Sequence, residues 1–186
     1  MYLSAFLAAA LSTSAYAAAA CTAKDRLYYA NQVPVSYSQT GPVATEESFS
    51  QIPFGVGSLS GPCETVIYPN GGPGIIVGET GEDVVRFGTT TRQGFYSVTG
   101  KYEDFPQNGT TVIYTNVTLG VESDVDSGVT FAGQVYLDFN TACRISAVRA
   151  FAEVPKYIDG QPTNLSQILS FPDLPLLSVP FVPGTG

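Results

Sequence analysis

Residues 129–139 read Val-Thr-Phe-Ala-Gly-Gln-Val-Tyr-Leu-Asp-Phe, so apolar side chains or glycine occupy every second position. A period of two is the pattern of a β-strand with one buried face, because successive side chains of a strand point to opposite sides. Two more alternating stretches precede it, at Phe95–Tyr102 and Val112–Leu119. Asn108-Gly109 lies between them and is typical of tight β-hairpins. The sequence therefore predicts consecutive antiparallel strands at the centre of the fold.

A fourth stretch, from Arg144 to Val154, is ambiguous because neither of its faces is plainly polar. One face carries Val148 and Ala150, and the other carries Arg149 and Glu153. If the first face is buried, the two charged residues lie in solvent. If the second is buried, each charge needs a partner from another strand, since an unpaired buried charge is very costly.

Shorter strands are predicted at Glu64–Tyr68, Ile75–Val77 and Glu82–Phe87, and an edge strand at Val33–Tyr37. No helix longer than about ten residues is expected in residues 22–62. A lone sheet leaves one face open, so we expect it to close on itself or on a second sheet. The predicted fold class is all-β and mainly antiparallel, a single small barrel or sandwich of about seven or eight strands.

The chain divides into three predicted parts. Residues 1–20 carry no charged side chain and are mostly apolar, which is typical of a signal peptide cleaved after Ala17 or Ala20. Residues 21–154 form the β domain. Residues 155–186 form an irregular, proline-rich C-terminal extension that packs on the domain, because its leucines and phenylalanines are too apolar for a free linker. A bacterial lipoprotein modified at Cys21 is the weaker alternative.

Three N-glycosylation sequons, at Asn108, Asn116 and Asn164, favour a secreted, extracellular glycoprotein. A glycan on Asn116 must point into water, so its occupancy would place Ile113 and Val117 on the core side.

The chain has 3 cysteines, which in an oxidising compartment suggests one disulfide bond and one odd thiol. Spacing does not decide the connectivity. Cys63 and Cys143 both flank predicted strands, which favours a bond between them. Cys21 is then left for a homodimer between chains.

The composition excludes several classes of function. The chain has no histidine, which removes His-based nucleophilic catalysis and the common zinc sites. Its 16 acidic residues against 8 basic ones give a formal charge of −8, which argues against nucleic acid and anionic membranes as partners. No membrane span, cofactor or metal site is predicted, and no catalytic residue is assigned.

If the ambiguous strand turns its charges inward, five residues line a common cavity: Tyr96, Tyr102, Thr115, Arg149 and Glu153. An apolar interior with a few hydroxyls and a cation suits a small, largely apolar or phenolic ligand. In general outline this architecture resembles the closed barrels that bind or cyclise small molecules, such as lipocalins and the dirigent and allene oxide cyclase barrels.

The leading hypothesis is a non-catalytic binding protein. The second is a cofactor-free isomerase or cyclase, which requires a carboxylate such as Glu153 inside the cavity. The third is a cell-surface or effector-like interaction protein with a solid core. The three differ in what the interior contains: a cavity with no carboxylate near a proton to be moved, a cavity with such a carboxylate, or no cavity.

Overall fold

The computed structural model describes residues 21–121, 124–158 and 161–162. This part of the chain forms three α-helices and eight β-strands. The helices are α1 (Ala23–Ser36), α2 (Pro42–Ser50) and α3 (Gly81–Arg92). The strands are β1 (Pro62–Pro69), β2 (Ile75–Thr80), β3 (Phe95–Phe105), β4 (Thr110–Val121), β5 (Val125–Phe139), β6 (Ile145–Ala152), β7 (Tyr157–Ile158) and β8 (Gln161–Pro162).

Six of the described strands form one open mixed sheet in the order β2-β1-β6-β5-β4-β3. β1 and β6 pair in parallel, and the other neighbours are antiparallel. β7 and β8 form a separate two-stranded hairpin.

The three helices cover one face of the sheet, called the inner face below. α1 packs on β3 and β4, and α3 packs on β2 and β1. The main core lies between the layers, where Ala30 and Val33 of α1 meet Ile113, Leu137 and Val148 of the sheet. A second cluster, around Phe95 and Phe131, fills the interior farther along β3 and β5.

The all-β prediction is wrong, because three helices occupy segments for which strand or loop is predicted. α1 is 14 residues long, longer than expected for this region, and it contains most of the predicted edge strand Val33–Tyr37. The predicted strand Glu82–Phe87 belongs to α3. The sheet does not close into a barrel, and it packs on helices instead of on a second sheet.

The sequence pattern does not indicate these helices, because the buried face of each is only partly apolar. The buried residues of α1 are Arg26, Ala30, Val33 and Ser36, which follow a helical period without looking hydrophobic. Both α1 and α3 begin with a capping box: Thr22 with Asp25, and Thr80 with Asp83. These two Thr-x-x-Asp sequences were the available signals of a helix start.

The central strands agree with the sequence analysis. Phe95–Tyr102 lies in β3 and pairs antiparallel with β4, which contains Val112–Leu119. β4 pairs in turn with β5. Ile113 and Val117 are buried, and Asn116 between them is exposed.

The disulfide prediction is wrong. Cys21 is bonded to Cys143, with a Cα–Cα distance of 4.7 Å, and Cys63 is a free, fully buried thiol. Burial raises the pKa of the Cys63 thiol. The predicted homodimer through Cys21 is therefore also wrong, since its sulfur is already used within the chain. α1 brings Cys21 to the turn before β6, a proximity that depends on the unpredicted helix.

Three predictions fall outside the described residues: the signal peptide 1–20, the sequon at Asn164, and the C-terminal extension from residue 163 onward.

Candidate functional site

An interior concavity, called the inner cavity, lies between the helices and the inner face of the sheet. Its volume is about 130 Å³. The helical side supplies Tyr37 after α1, Phe49 from α2 and Phe87 from α3. The floor consists of inward residues of β1, β3, β4, β5 and β6. The described residues that line the cavity are Val33, Tyr37, Phe49, Phe54, Thr65, Ile67, Pro69, Val84, Phe87, Gly88, Phe95, Val98, Thr115, Val117, Phe131, Gly133, Val135, Leu137, Val148, Ala150, Phe151, Ala152 and Val154.

Tyr37 is one of the few polar groups in this lining. Its ring packs edge-on against Phe49 at 5.0 Å and tilted against Phe95 at 5.7 Å. Its hydroxyl lies 3.0 Å from the Thr91 hydroxyl, and Thr91 donates to the Phe87 carbonyl at 2.9 Å. With the Thr91 proton used in this way, Tyr37 donates to Thr91 and keeps its own oxygen lone pairs as acceptors. Burial raises the pKa of Tyr37 to about 12, so the group is a neutral phenol at physiological pH.

Two threonines contribute the remaining hydroxyls. Thr65 donates to the Cys63 carbonyl at 3.3 Å. Thr115 is also buried, and it lines the cavity from β4. No charged side chain lines the inner cavity within the described part of the chain. The cavity thus offers an apolar enclosure with three hydroxyl groups.

Of the five predicted ligand residues, only Thr115 lines the inner cavity. Tyr102 packs beside the main core, where burial raises the pKa of its phenol. Tyr96 is half-buried at the irregularity near the start of β3. The structure therefore does not bring Tyr96, Tyr102 and Thr115 together around one ligand site.

Of the two interpretations of the Arg144–Val154 stretch, the one that turns Arg149 and Glu153 inward, and so makes them ligand residues, is wrong. Arg149 lies on the outer face, where it pairs with Asp138 at 2.9 Å and stacks over the Tyr136 ring at 5.3 Å. Glu153 is exposed. The core is filled by Val148 and Val154 instead, as in the first interpretation of this strand. An exposed ion pair avoids the desolvation that burying both charges would require.

The residues that sequence reasoning missed come mostly from the helices. Phe49 and Gly88 show how closely α2 and α3 approach, because a Cβ atom on Gly88 would lie 2.7 Å from the Phe49 ring. Phe54 is positioned by Arg144, which donates hydrogen bonds to the carbonyls of Phe54 and Gly55. Without helices in the predicted fold, none of these residues could be placed at a cavity.

A buried ion pair fixes α1 over the sheet. The Arg26 Nε donates to Asp104 Oδ1 at 2.8 Å, and its Nη2 donates to Oδ2 at 2.6 Å. The two side chains are only 6% and 7% exposed. Thr111 donates to the same carboxylate at 2.7 Å. These bonds, led by that from Arg26, lower the pKa of Asp104, and they hold in place the helix that leads to Tyr37.

The outer face of the sheet carries a second concavity of about 880 Å³, called the outer groove. Its lining includes Tyr68, Tyr114, Tyr136 and Phe151, together with Glu153. The Phe151 ring stacks on Tyr68 at 4.7 Å with an interplanar angle of 11° and meets Tyr136 edge-on at 5.5 Å. This aromatic surface lies on the outer face of the sheet, and the two concavities share part of their lining, namely Thr115, Gly133, Phe151 and Ala152.

Two site types find no support in the described residues. None of the helices there is both long and apolar enough to cross a bilayer. Nor do residues 21–121, 124–158 and 161–162 contain a group of three or more His, Cys, Asp or Glu side chains able to hold a metal ion.

Three helices on one face of an open six-stranded mixed sheet, with a cavity between the layers, define an α+β protein. No family model matches the chain, and no curated protein matches its sequence. Solved structures resemble it in fold.

AusH from Aspergillus nidulans is 14% identical, with a TM-score of 0.50 over 76% of this chain and 92% of AusH. A SnoaL-like family protein from Agrobacterium tumefaciens, described as a candidate isomerase, is 15% identical with a TM-score of 0.45, over 70% of this chain and 99% of its own. An NTF2-like protein of unknown function from Exiguobacterium is 14% identical with a TM-score of 0.43, over 72% of this chain and all of its own (100%). At such identities the likeness concerns the fold alone.

Proposed function

We propose that this protein binds a small, largely apolar ligand in the inner cavity and catalyses no reaction on it. One observation carries the proposal: the described lining is apolar apart from the hydroxyls of Tyr37, Thr65 and Thr115. A fold by itself does not decide between binding and catalysis, so the choice between these roles depends on the site.

The lining favours binding over catalysis. An isomerase or cyclase moves a proton, and the group that moves it needs a pKa near the working pH. Glu153 is outside the cavity, no described carboxylate is inside it, and the Tyr37 phenol, with a pKa of about 12, is a poor base or acid near neutrality. These hydroxyls are better suited to orienting a bound ligand by hydrogen bonds.

The cavity size limits the ligand class. An engineered apolar cavity of about 150 Å³ in another protein accepts benzene, and the inner cavity has about 130 Å³. A single six-membered ring with one or two small substituents therefore matches the space. A phenolic or alcoholic hydroxyl on that ring can donate to the free lone pairs of Tyr37 or to Thr115.

We further propose that the protein works outside the cell as a glycoprotein. The Cys21–Cys143 disulfide suits an oxidising compartment, and Asn108 and Asn116 are both exposed, as glycan attachment requires. Expression in a secreting eukaryotic cell tests this: glycosidase treatment of the secreted chain reduces its mass, and Asn108→Gln and Asn116→Gln each remove part of that change. A chain retained in the cell, or an unchanged mass, contradicts the proposal.

The binding proposal is tested by titrating the full chain with toluene and p-cresol and following saturation-transfer NMR signals of each probe. We expect p-cresol to bind more tightly because of its hydroxyl group. Ala150→Phe places a ring in the cavity and abolishes binding of both probes. Ala147→Phe on the outer face of the same strand is the matched control and leaves binding unchanged. Failure of both probes to bind the wild-type chain, or equal binding to the Ala150 variant, refutes the proposal.

A further inference from the structure

A chain of hydrogen bonds behind the inner cavity determines which way the Tyr37 hydroxyl points its proton. The Tyr37 oxygen lies 3.0 Å from the Thr91 hydroxyl of α3. Thr91 donates to the carbonyls of the preceding helical turn, Phe87 at 2.9 Å and Gly88 at 3.2 Å, as threonines inside helices commonly do. A hydroxyl has one proton and two lone pairs, so Thr91 accepts the hydrogen bond from Tyr37.

The direction of this bond decides what Tyr37 offers to a ligand. Tyr37 lines the inner cavity, whereas Thr91 is not among the described residues of the lining and is only 1% exposed. Burial raises the pKa of Tyr37 to about 12, so the phenol keeps its proton near neutral pH and gives it to Thr91. What remains for a bound molecule is an oxygen lone pair, which accepts a hydrogen bond.

Thr65, on the sheet side of the cavity, is in a similar state. It is 2% exposed, and its hydroxyl donates to the Cys63 carbonyl at 3.3 Å within the same strand. Its lone pairs are therefore the part of the hydroxyl that a ligand can use. Tyr37 from the helical side and Thr65 from the sheet both act as acceptors.

Thr115 supplies the third hydroxyl of the lining, and this group does not discriminate between donors and acceptors. A hydroxyl can turn its proton toward an acceptor or present a lone pair to a donor. Gly133 keeps the space beside it open, since a Cβ atom there would lie 2.9 Å from the Thr115 oxygen. A ligand that only accepts can use Thr115 alone among the three hydroxyls, whereas a ligand that donates can use each of them.

We propose that the inner cavity selects uncharged ligands that donate a hydrogen bond, such as phenols and alcohols, over ligands of the same size that only accept one, such as ethers. This inference rests on the binding proposed above and narrows its ligand class. Thr91 sets the selection from behind the lining, because it takes the Tyr37 proton and leaves the phenol as an acceptor. Thr91 is thus a positioning residue that acts through Tyr37.

The test compares p-cresol with anisole, two isomers that carry a hydroxyl and an ether oxygen, respectively. Ligand-observed NMR titrations of the full chain give the dissociation constant of each probe. One neutral hydrogen bond corresponds to about a five-fold change in affinity, so we expect the wild-type chain to prefer p-cresol by about five-fold.

Four variants separate selection from simple packing. Thr91→Val removes the acceptor of the Tyr37 proton, which then becomes available to anisole, so tighter binding of anisole reduces the preference to less than about two-fold. Thr91→Ser keeps the hydroxyl and is expected to keep the preference. Thr115→Val removes the hydroxyl that serves acceptor ligands and raises the preference. Thr90→Val makes the same change one residue away, in a separate surface groove, and leaves the preference unchanged.

Tyr37→Phe is an independent fifth variant if Thr91→Val folds poorly. It removes the phenol oxygen and reduces the preference by weakening the binding of p-cresol. Equal affinities of the wild-type chain for the two probes, or a preference that survives both Thr91→Val and Tyr37→Phe, overturn the inference, and the binding proposal stands because both probes bind. Binding of neither probe refutes the binding proposal itself, and the inference with it.

Discussion

The Arg26–Asp104 pair gives the sharpest test of how α1 is held on the sheet. The perturbation is Asp104→Asn, which removes the negative charge but keeps an oxygen to accept from Thr111. Arg26, whose side chain is 6% exposed, then remains buried without a compensating charge. Its Nη1 still donates to the Cys21 carbonyl at 2.8 Å.

The expected loss follows from two independent considerations. Removing one partner of a buried ion pair costs about 3–5 kcal/mol. The two charge-assisted hydrogen bonds from Arg26, at 2.8 and 2.6 Å, are worth about 1.5–3 kcal/mol each, or about 3–6 kcal/mol together, and the side chain of the Asp104→Asn variant keeps one acceptor oxygen, so the lower part of both ranges applies. We therefore expect Asp104→Asn to lower the free energy of unfolding by about 3–4 kcal/mol.

The assay is urea unfolding with the disulfide intact. For a slope of about 2 kcal/mol/M, the midpoint falls by about 1.5–2 M. The matched control is Asp138→Asn, which breaks the Arg149–Asp138 pair, whose side chains are 43% and 28% exposed. An exposed pair is worth about 0–1 kcal/mol, so the control midpoint moves by at most about 0.5 M.

A double variant, Arg26→Met with Asp104→Leu, separates the net contribution of the ion pair to stability from the cost of leaving one buried charge without its partner. We expect it to regain part of the stability lost by Asp104→Asn, because no charge is left buried. Equal losses for Asp104→Asn and Asp138→Asn, or a double variant less stable than Asp104→Asn, refute the reasoning.

Three further predictions concern acid stability, the α2–α3 contact and the disulfide. Because the pKa of Asp104 is lowered in the folded state, the contribution of Asp104 to the free energy of unfolding is complete above the ordinary aspartate value of 3.8 and is lost as the pH falls through the lower folded value. Thermal unfolding from pH 7 to 2 checks this, and a melting temperature that starts to fall above pH 6 contradicts it. Gly88→Ala places a Cβ atom 2.7 Å from the Phe49 ring, so an overpacking cost of about 1–3 kcal/mol outweighs a gain in helix propensity of about 1 kcal/mol. We expect urea unfolding to show a lower free energy of unfolding, and a higher one contradicts the prediction. Replacing Cys21 and Cys143 together by serine is expected to cost about 2–5 kcal/mol, measured against the wild-type chain under oxidising conditions, and unchanged stability argues that the bond contributes little.

The strands at the centre of the fold could be predicted because their burial is one-sided. Along β4 and β5, inward residues such as Ile113 and Leu137 alternate with exposed ones such as Asn116 and Gln134. Apolar and polar residue types therefore alternate with a period of two, which sequence analysis detects directly. The hairpin at Asn108-Gly109 was equally local, since it depends on the backbone preferences of two adjacent residues.

The helices could not be predicted from apolar periodicity, because their buried faces use residues that are usually polar or small. Arg26 is buried only because Asp104, 78 positions later, neutralises it. Arg92 is fully buried and donates to the carbonyls of Gln39 and Phe95. In α3 the β-branched Val84 and Val85 favour strand by propensity, and packing against the sheet overrides that preference.

The residues of the candidate site divide in the same way, into those on regular strands, which the sequence predicts, and those that depend on helices, which it does not. Thr115 was found because it lies on a regular strand, whereas Tyr37 and Phe49 depend on helices that the sequence pattern concealed. The sequence leaves open which face of the Arg144–Val154 stretch is buried, and in the structure the face that carries Arg149 and Glu153 is the outer one.

The amino-acid sequence alone determined the inner faces of the central strands, the hairpin between β3 and β4, and the exclusion of histidine chemistry, because each depends on residue type and near neighbours. Only the tertiary structure decided that helices cover the sheet, that Cys21 meets Cys143, and that an uncharged cavity lies between the layers. Those features arise from contacts between residues far apart in the chain. Such contacts allow polar side chains such as Arg26 to be buried in the core.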